Sequence, residues 1–329
     1  MKDKKRCNLI IDSCCDLPSN VVETLDVDLL EFPFVSDDGE HLDDLGVSMP
    51  PHEFFERMRK GEQPTTMQIP ANVFQAHFEQ ALASGVPTVY LSFSSGLSGS
   101  YDTACLVAEH LKEKYPGGEL YVVDTKLASI AEGMLVLEAN HQRERGLTAA
   151  ELAAWACEAR NFVHGFFTLD NFDALRRGGR IPDIAAFAGT KLDIKPILTF
   201  DIDGALSISS VTRGRKKSLR ALGEIYGNRP EEAGRTPVIV ASADAPRDAD
   251  TLAATVAKQT AGVLVMRTSI GPVIGSHVGP GMVAVSFFGA DRRKSIPISD
   301  RIARRVSSAG KGDSSQLGRV LNDSGDGER

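Results

Sequence analysis

The chain has 329 residues, 42% hydrophobic and 25% charged, with a formal net charge of −7. That length exceeds the usual single core, so two domains are expected, and the acidic balance argues against a broad nucleic-acid surface. With no apolar run long enough to span a bilayer and no signal-peptide pattern, the expectation is a soluble, cytoplasmic protein.

Residues 8–11 form a short apolar run typical of a buried parallel strand, closed by Asp12-Ser13, and the stretch from Asp16 to Ser19 resembles a helix start. A second extended run covers 29–35 and ends in the turn Asp37-Asp38-Gly39; residues 52–60 read as helical. Over 71–83, Phe74, Phe78, Ala81 and Leu82 recur at helical spacing. A strand at 89–93, a helix at 101–115, a strand at 120–123 and helices at 130–145 and 148–160 follow. This alternation predicts a parallel sheet with helices on both faces, an N-terminal α/β domain over 1–160.

The second half reads differently. A strand at 166–169 and a hairpin of 197–200 with 206–211 around Asp203-Gly204 imply antiparallel pairing. Helices at 216–226 and 247–259 alternate with strands at 237–242, 262–267 and 272–274. The prediction is a mixed-sheet C-terminal α/β domain over 161–303, then a disordered tail over 304–329, rich in Ser, Gly and charge.

Between the strand at 89–93 and the next helix stands Ser94-Ser95-Gly96-Leu97-Ser98-Gly99-Ser100. Small residues, hydroxyls and the unpaired N–H groups of a helix start suit an anion, whereas a helix cap is the plain alternative. The loop lacks a Walker lysine and the G-x-S-x-G spacing of a nucleophile elbow. Thr66 precedes a helix and has a hydroxyl to offer. In Arg176-Arg177-Gly178-Gly179-Arg180 the first two arginines read as a solvated helix end, and Arg180, beyond the turn, is the better anion partner. His277, in Gly275-Ser276-His277-Val278-Gly279-Pro280-Gly281, has the most irregular setting of the seven histidines. Cys7, Cys14, Cys15, Cys105 and Cys157 show no C-x-x-C spacing and read as reduced; no zinc spacing implies a metal.

Together these residues resemble the DegV family of bacterial fatty-acid-binding proteins, acyl carriers of fatty-acid kinase. The likeness runs from about residue 8 to 289 and rests on Asp12-Ser13-x-x-Asp16-Leu17, Thr66-x-Gln68, the serine loop through Tyr101, Val123-Asp124, Arg177-Gly178-Gly179-Arg180-Ile181, Ile194-Lys195-Pro196 and His277-x-Gly279-Pro280-Gly281. It implies two α/β domains holding a long-chain fatty acid such as palmitate, stearate or oleate. Its carboxylate would meet Thr66, Ser98, the Gly99 N–H and His277, with Arg180 near the acyl-phosphate state. A separate ATP-binding kinase protein would perform phosphoryl transfer, and the carrier would need no cofactor. It would be a monomer, with room for transient membrane contact. Met67, Ile69, Cys14, Cys15 and Ser100 depart from the family pattern; Met67 and Cys14 are candidates for reshaping the pocket. An acyl hydrolase using Ser98 with His277, or an anion-binding module using the loop and Arg180, are the alternatives.

Overall fold

The computed structural model describes residues 6–181, 193–228 and 236–295; the tail expected at 304–329 lies outside them. The first half runs β1 (Asn8–Asp12), α1 (Ser19–Leu25), β2 (Asp28–Leu30), β3 (Pro33–Ser36), β4 (Gly39–Leu42), α2 (Pro51–Arg59) and β5 (Thr65–Thr66). Then come α3 (Ala71–Ala83), β6 (Thr88–Ser92), α4 (Ser100–Lys114), β7 (Leu120–Asp124), α5 (Ile130–Glu144) and α6 (Ala149–Ala159).

A four-stranded sheet in the order β2-β1-β6-β7 is parallel throughout. Every residue of β6 and β7 is buried, as continuous apolar strands covered on both faces must be. α6 starts where the sequence places it, because Thr148 and Glu151 form a reciprocal capping box. The extended run expected over 29–35 is split instead. β2 joins β1, while β3 pairs with β4 and β5 in a separate antiparallel sheet. The break falls at Phe32, whose N–H goes to the Ser13 hydroxyl, and at Pro33, which has no N–H to give a ladder.

The second half runs β8 (Val163–Thr168), α7 (Asp173–Gly178), β9 (Ile194–Phe200), β10 (Leu206–Arg213) and α8 (Arg215–Gly227). It continues with β11 (Val238–Ser242), α9 (Pro246–Gln259), β12 (Val265–Ser269), α10 (Pro272–Val278) and β13 (Val283–Phe288). Six of these strands form a mixed sheet, β10-β9-β8-β13-β11-β12, in which β11 and β12 alone are parallel neighbours. The parallel and mixed sheets are those expected. Residues 272–274, expected as a strand, are helical: Pro272 stands at the first position of α10, where its fixed φ suits a helix and its missing N–H costs nothing.

α5 joins the halves. It packs on β8, β11 and β13 of the mixed sheet, and its residues 130–136 are all buried. That burial explains the absence of a clean polar face. The hydrophobic core accordingly runs on from the parallel sheet into residues of β8, β9, β11 and β13.

Candidate ligand-binding site

Where α5, α10 and the mixed sheet meet the serine loop, the protein encloses a cavity of about 300 Å³. Most of its wall is apolar, with Phe32, Phe93, Phe167, Phe200, Val273 and Met282 among its members. Thr66, Ser98, Gly99, Arg180 and His277 line the same cavity. Five residues spread over more than two hundred positions of sequence are thus brought to one space, and among the described residues the rest of the wall adds only Gln68 and Ser129 as polar side chains.

Each polar residue is held by the element that carries it. Thr66 lies on β5, in register with Phe34 of β3. His277 sits in the last turn of α10, and its Nε2 is 2.8 Å from the Thr66 hydroxyl. The opposite ring nitrogen, Nδ1, is buried with no partner among the described residues. It packs on Gly178, where an added Cβ would stand 2.3 Å away, so the glycine is needed for the ring to fit. A buried N–H without an acceptor is costly, so the proton belongs on Nε2. His277 then donates to Thr66, and the Thr66 hydroxyl is left free to donate to a ligand. Burial, with a smaller push from the nearby Arg180 charge, lowers the His277 pKa to about 4, which keeps the ring neutral near pH 7.

The serine loop spends most of its donors on itself. Leu97 and Ser98 N–H groups go to the Ser94 carbonyl, Gly96 N–H to the Ser94 hydroxyl, and Ser95 N–H to Asp124. Ser98 Oγ accepts from Ser100 N–H at 3.2 Å and lies 3.1 Å from Ser100 Oγ. The capping alternative therefore holds for Ser98 in part, through this local turn. The Gly99 N–H has no acceptor among the described residues, and Gly99 lines the cavity. Arg180 closes that end from the second half of the chain, with Nε 3.4 Å from the Leu97 carbonyl and Nη1 on the Gly178 carbonyl. Arg176 and Arg177 are exposed in the last turn of α7, as expected of a solvated helix end.

One expectation needs correction. Cys14 does not line the cavity but is sealed behind it, where burial and the surrounding acids push its thiol far up. The helix expected from the stretch 16–19 does begin there, at Ser19, while Asp16 itself closes the preceding turn in a left-handed conformation at φ 49 with its carboxylate enclosed. With Asp12, Asp43 and Glu132 it forms a buried acid layer that has no counterpart in the sequence reading beyond the Asp12 and Asp16 of the opening motif. Met67 does line the cavity. Among the described residues one group, His52, Glu56 and Asp244, has metal-like spacing. Arg59 already bridges Glu56 and Asp244.

The sequence matches the model described as "Uncharacterised protein, DegV family" over residues 6–290. It is 35% identical over 285 residues to a DegV domain-containing protein, CPE0026, of Clostridium perfringens, covering 87% of this chain and 98% of that one. A DegV lipid binding protein of Thermotoga maritima shares the fold with a TM-score of 0.75 at 29% identity, over 87% of this chain and 99% of that one. A fatty-acid-binding DegV family protein of Thermus thermophilus gives a TM-score of 0.76 at 28% identity, over 87% of this chain and 100% of that one. By sequence and by fold, this chain belongs to the DegV family.

Proposed function

We propose that this protein binds a long-chain fatty acid, with the tail in the apolar cavity and the carboxylate among Thr66, Ser98, Gly99, His277 and Arg180, and presents that carboxylate to a separate ATP-dependent kinase. The observation that carries the reading is the cavity's polarity: an apolar enclosure whose hydroxyl, imidazole and guanidinium groups come from separate segments and meet at one end. The relatives from Thermotoga maritima and Thermus thermophilus, described as lipid-binding and fatty-acid-binding, support it. Burying about fifteen methylenes at roughly 0.8 kcal/mol each is worth on the order of 12 kcal/mol before ordering costs. The tail supplies affinity, and the polar end mainly offsets the desolvation of the carboxylate and fixes its position.

A hydrolase would need the Ser98 hydroxyl bonded to the His277 imidazole. Here Ser98 is engaged with Ser100, and His277 Nε2 with Thr66. The polar end holds an acid group in place and lacks the paired nucleophile and base that would attack an ester. Arg180 is exposed at this end, well placed to meet the added charge of an acyl phosphate.

Organic extraction of protein purified from bacteria, followed by mass spectrometry, tests the reading. Near-stoichiometric C16 to C18 fatty acid is expected, and a protein that neither arrives loaded nor takes up added oleate would overturn it. Ser98→Ala should fold normally and weaken binding or phosphorylation of the bound acid; unchanged values for both would remove Ser98 from the head-group site. Loaded protein given ATP alone should make no acyl phosphate, and product formed without a second protein would overturn the carrier role.

A further inference from the structure

The acid layer lies behind the cavity wall, and none of its four carboxyl groups reaches the cavity surface. Asp16 differs from the other three in what its oxygens join. Oδ2 accepts from the Ser129 hydroxyl at 2.5 Å, and Oδ1 accepts from the Gly271 backbone N–H at 2.8 Å. Its own carbonyl accepts from the Thr268 hydroxyl at 2.9 Å. Ser129 lines the cavity and leads into α5, whereas Gly271 leads into α10, the seven-residue helix that carries His277. One side chain therefore ties together the starts of the two helices that flank the cavity.

The local backbone shows how tightly this junction is drawn. Ser129 is held at φ 55 and ψ −144, a positive-φ conformation that a non-glycine residue keeps only when its surroundings enforce it, and its N–H is fixed on the Cys14 carbonyl at 2.7 Å. A Cβ on Gly271 would lie 3.0 Å from both Asp16 Oδ1 and Asp43 Oδ2, so the α10 backbone approaches the acids as closely as glycine allows. α10 has two turns and packs on α2, α7 and β5, the last of which carries Thr66. A shift at its first residue is carried to its last turn, where the bond from His277 to Thr66 is made.

We infer that Asp16 is a positioning residue for the head-group end of the cavity, setting the start of α10 against the start of α5 and so holding His277 on Thr66. The inference rests on the fatty-acid reading for its effect on binding, but the position of His277 is readable without any ligand. Asparagine keeps both contacts: its amide oxygen accepts from Gly271, and its NH₂ donates to the Ser129 hydroxyl oxygen. Alanine keeps neither.

The test compares Asp16→Ala, Asp16→Asn and Ser129→Ala by binding of a fluorescent C18 fatty acid and by the His277 ring signal in ¹H–¹³C NMR of ligand-free protein. Asp16→Ala should bind at least tenfold more weakly and move the His277 signal. Asp16→Asn should return affinity to within about threefold of wild type and restore the signal. A folded Asp16→Ala with an unmoved His277 signal overturns the inference, whether or not affinity falls. If Asp16→Ala is insoluble, Ser129→Ala, which removes the Oδ2 contact alone, decides in its place: a moved His277 signal supports the inference and an unmoved one overturns it. Wild-type protein that binds no fatty acid would defeat the functional reading and leave the His277 signal to decide the role of Asp16.

Discussion

Hydroxyls and an imidazole meet the cavity at Thr66, Ser98 and His277, whereas carboxylates gather behind its wall at Asp12, Asp16, Asp43 and Glu132. Both groups are polar islands beside an apolar space, but burial acts on them in opposite senses. At the mouth it lowers the His277 pKa to about 4, so the base is neutral. In the layer it raises Asp12 and Asp16 to about 7, so that each is partly protonated near neutral pH, and pushes Asp43 and Glu132 well above the usual carboxylate range. The common result is that burial disfavours charge in both islands, so that among the described residues little of the protein's own charge borders the cavity. Arg180, the exception, is exposed to solvent.

The largest effect should come from filling the cavity itself, which separates the tail from both islands. Ala284, on β13 opposite Phe167, lines the cavity and is almost fully buried. Ala284→Phe should place a ring where the proposed tail would lie and reduce C18 fatty-acid binding by more than a hundredfold. Displacing even half of a tail gives up roughly 6 kcal/mol of gross burial. Unchanged binding, measured by loading with oleate, would show that the tail lies elsewhere.

The next effect contrasts the islands by pH. Asp12 and Asp16 stand at about 7 when folded against an ordinary 3.8, so the folded state holds more protons between those values. Their contribution to stability is full below about pH 4 and is lost as pH rises through 7. His277 acts the other way: its stability is present above its ordinary 6.5 and is lost as pH falls toward 4. Asp16→Asn cannot titrate, so its unfolding free energy relative to wild type should rise by roughly 2 kcal/mol between pH 5 and pH 8. Urea denaturation at four pH values measures this, and a flat difference would mean that Asp16 is ionised throughout.

Thr66 should give a smaller change, confined to binding. Thr66→Val keeps the shape but removes the hydroxyl, stranding the His277 N–H and deleting one proposed donor to the carboxylate; about a tenfold loss of affinity is expected. Thr66→Ser should stay within about threefold of wild type. Equal losses in the two variants would assign the role to the methyl group and not to the hydroxyl.

Much of the mouth was legible in the sequence because its residues announce themselves locally. Ser98 and Gly99 stand in a small-residue loop between a strand and a helix, and His277 stands among glycines and a proline. The cavity wall gave no such signal. Phe32, Phe167, Phe200 and Met282 are ordinary apolar residues whose meeting depends on the tertiary arrangement of three sheets. The helical fold of residues 272–274 was masked by an apolar, β-branched pair, although Pro272 carried the helix-start signal that the structure uses. β13, the central strand between β8 and β11, escaped notice for a related reason: it follows the irregular Gly279-Pro280-Gly281 turn and carries small residues at Ala284 and Ser286. The role of Asp16 was hidden most completely, since its partner Gly271 lies 255 positions away.

The smallest effect concerns Arg180, the one charged side chain among the described residues lining the cavity, and asks whether the two islands really obey the same cause. Desolvation is the larger reason for the low pKa of His277 and the Arg180 charge the smaller. Arg180 is exposed, so water screens its field, and a screened charge moves a neighbouring pKa little compared with burial. Arg180→Gln should therefore raise the His277 pKa by less than about one unit, read by NMR titration of the ring in ligand-free protein. Stability should change by no more than about 0.5 kcal/mol, the usual range for an exposed side chain. A rise of two units or more would show that the guanidinium, not burial, keeps the imidazole neutral. The mouth would then be governed by a solvent-facing charge and the acid layer by desolvation, and the resemblance between them would be superficial.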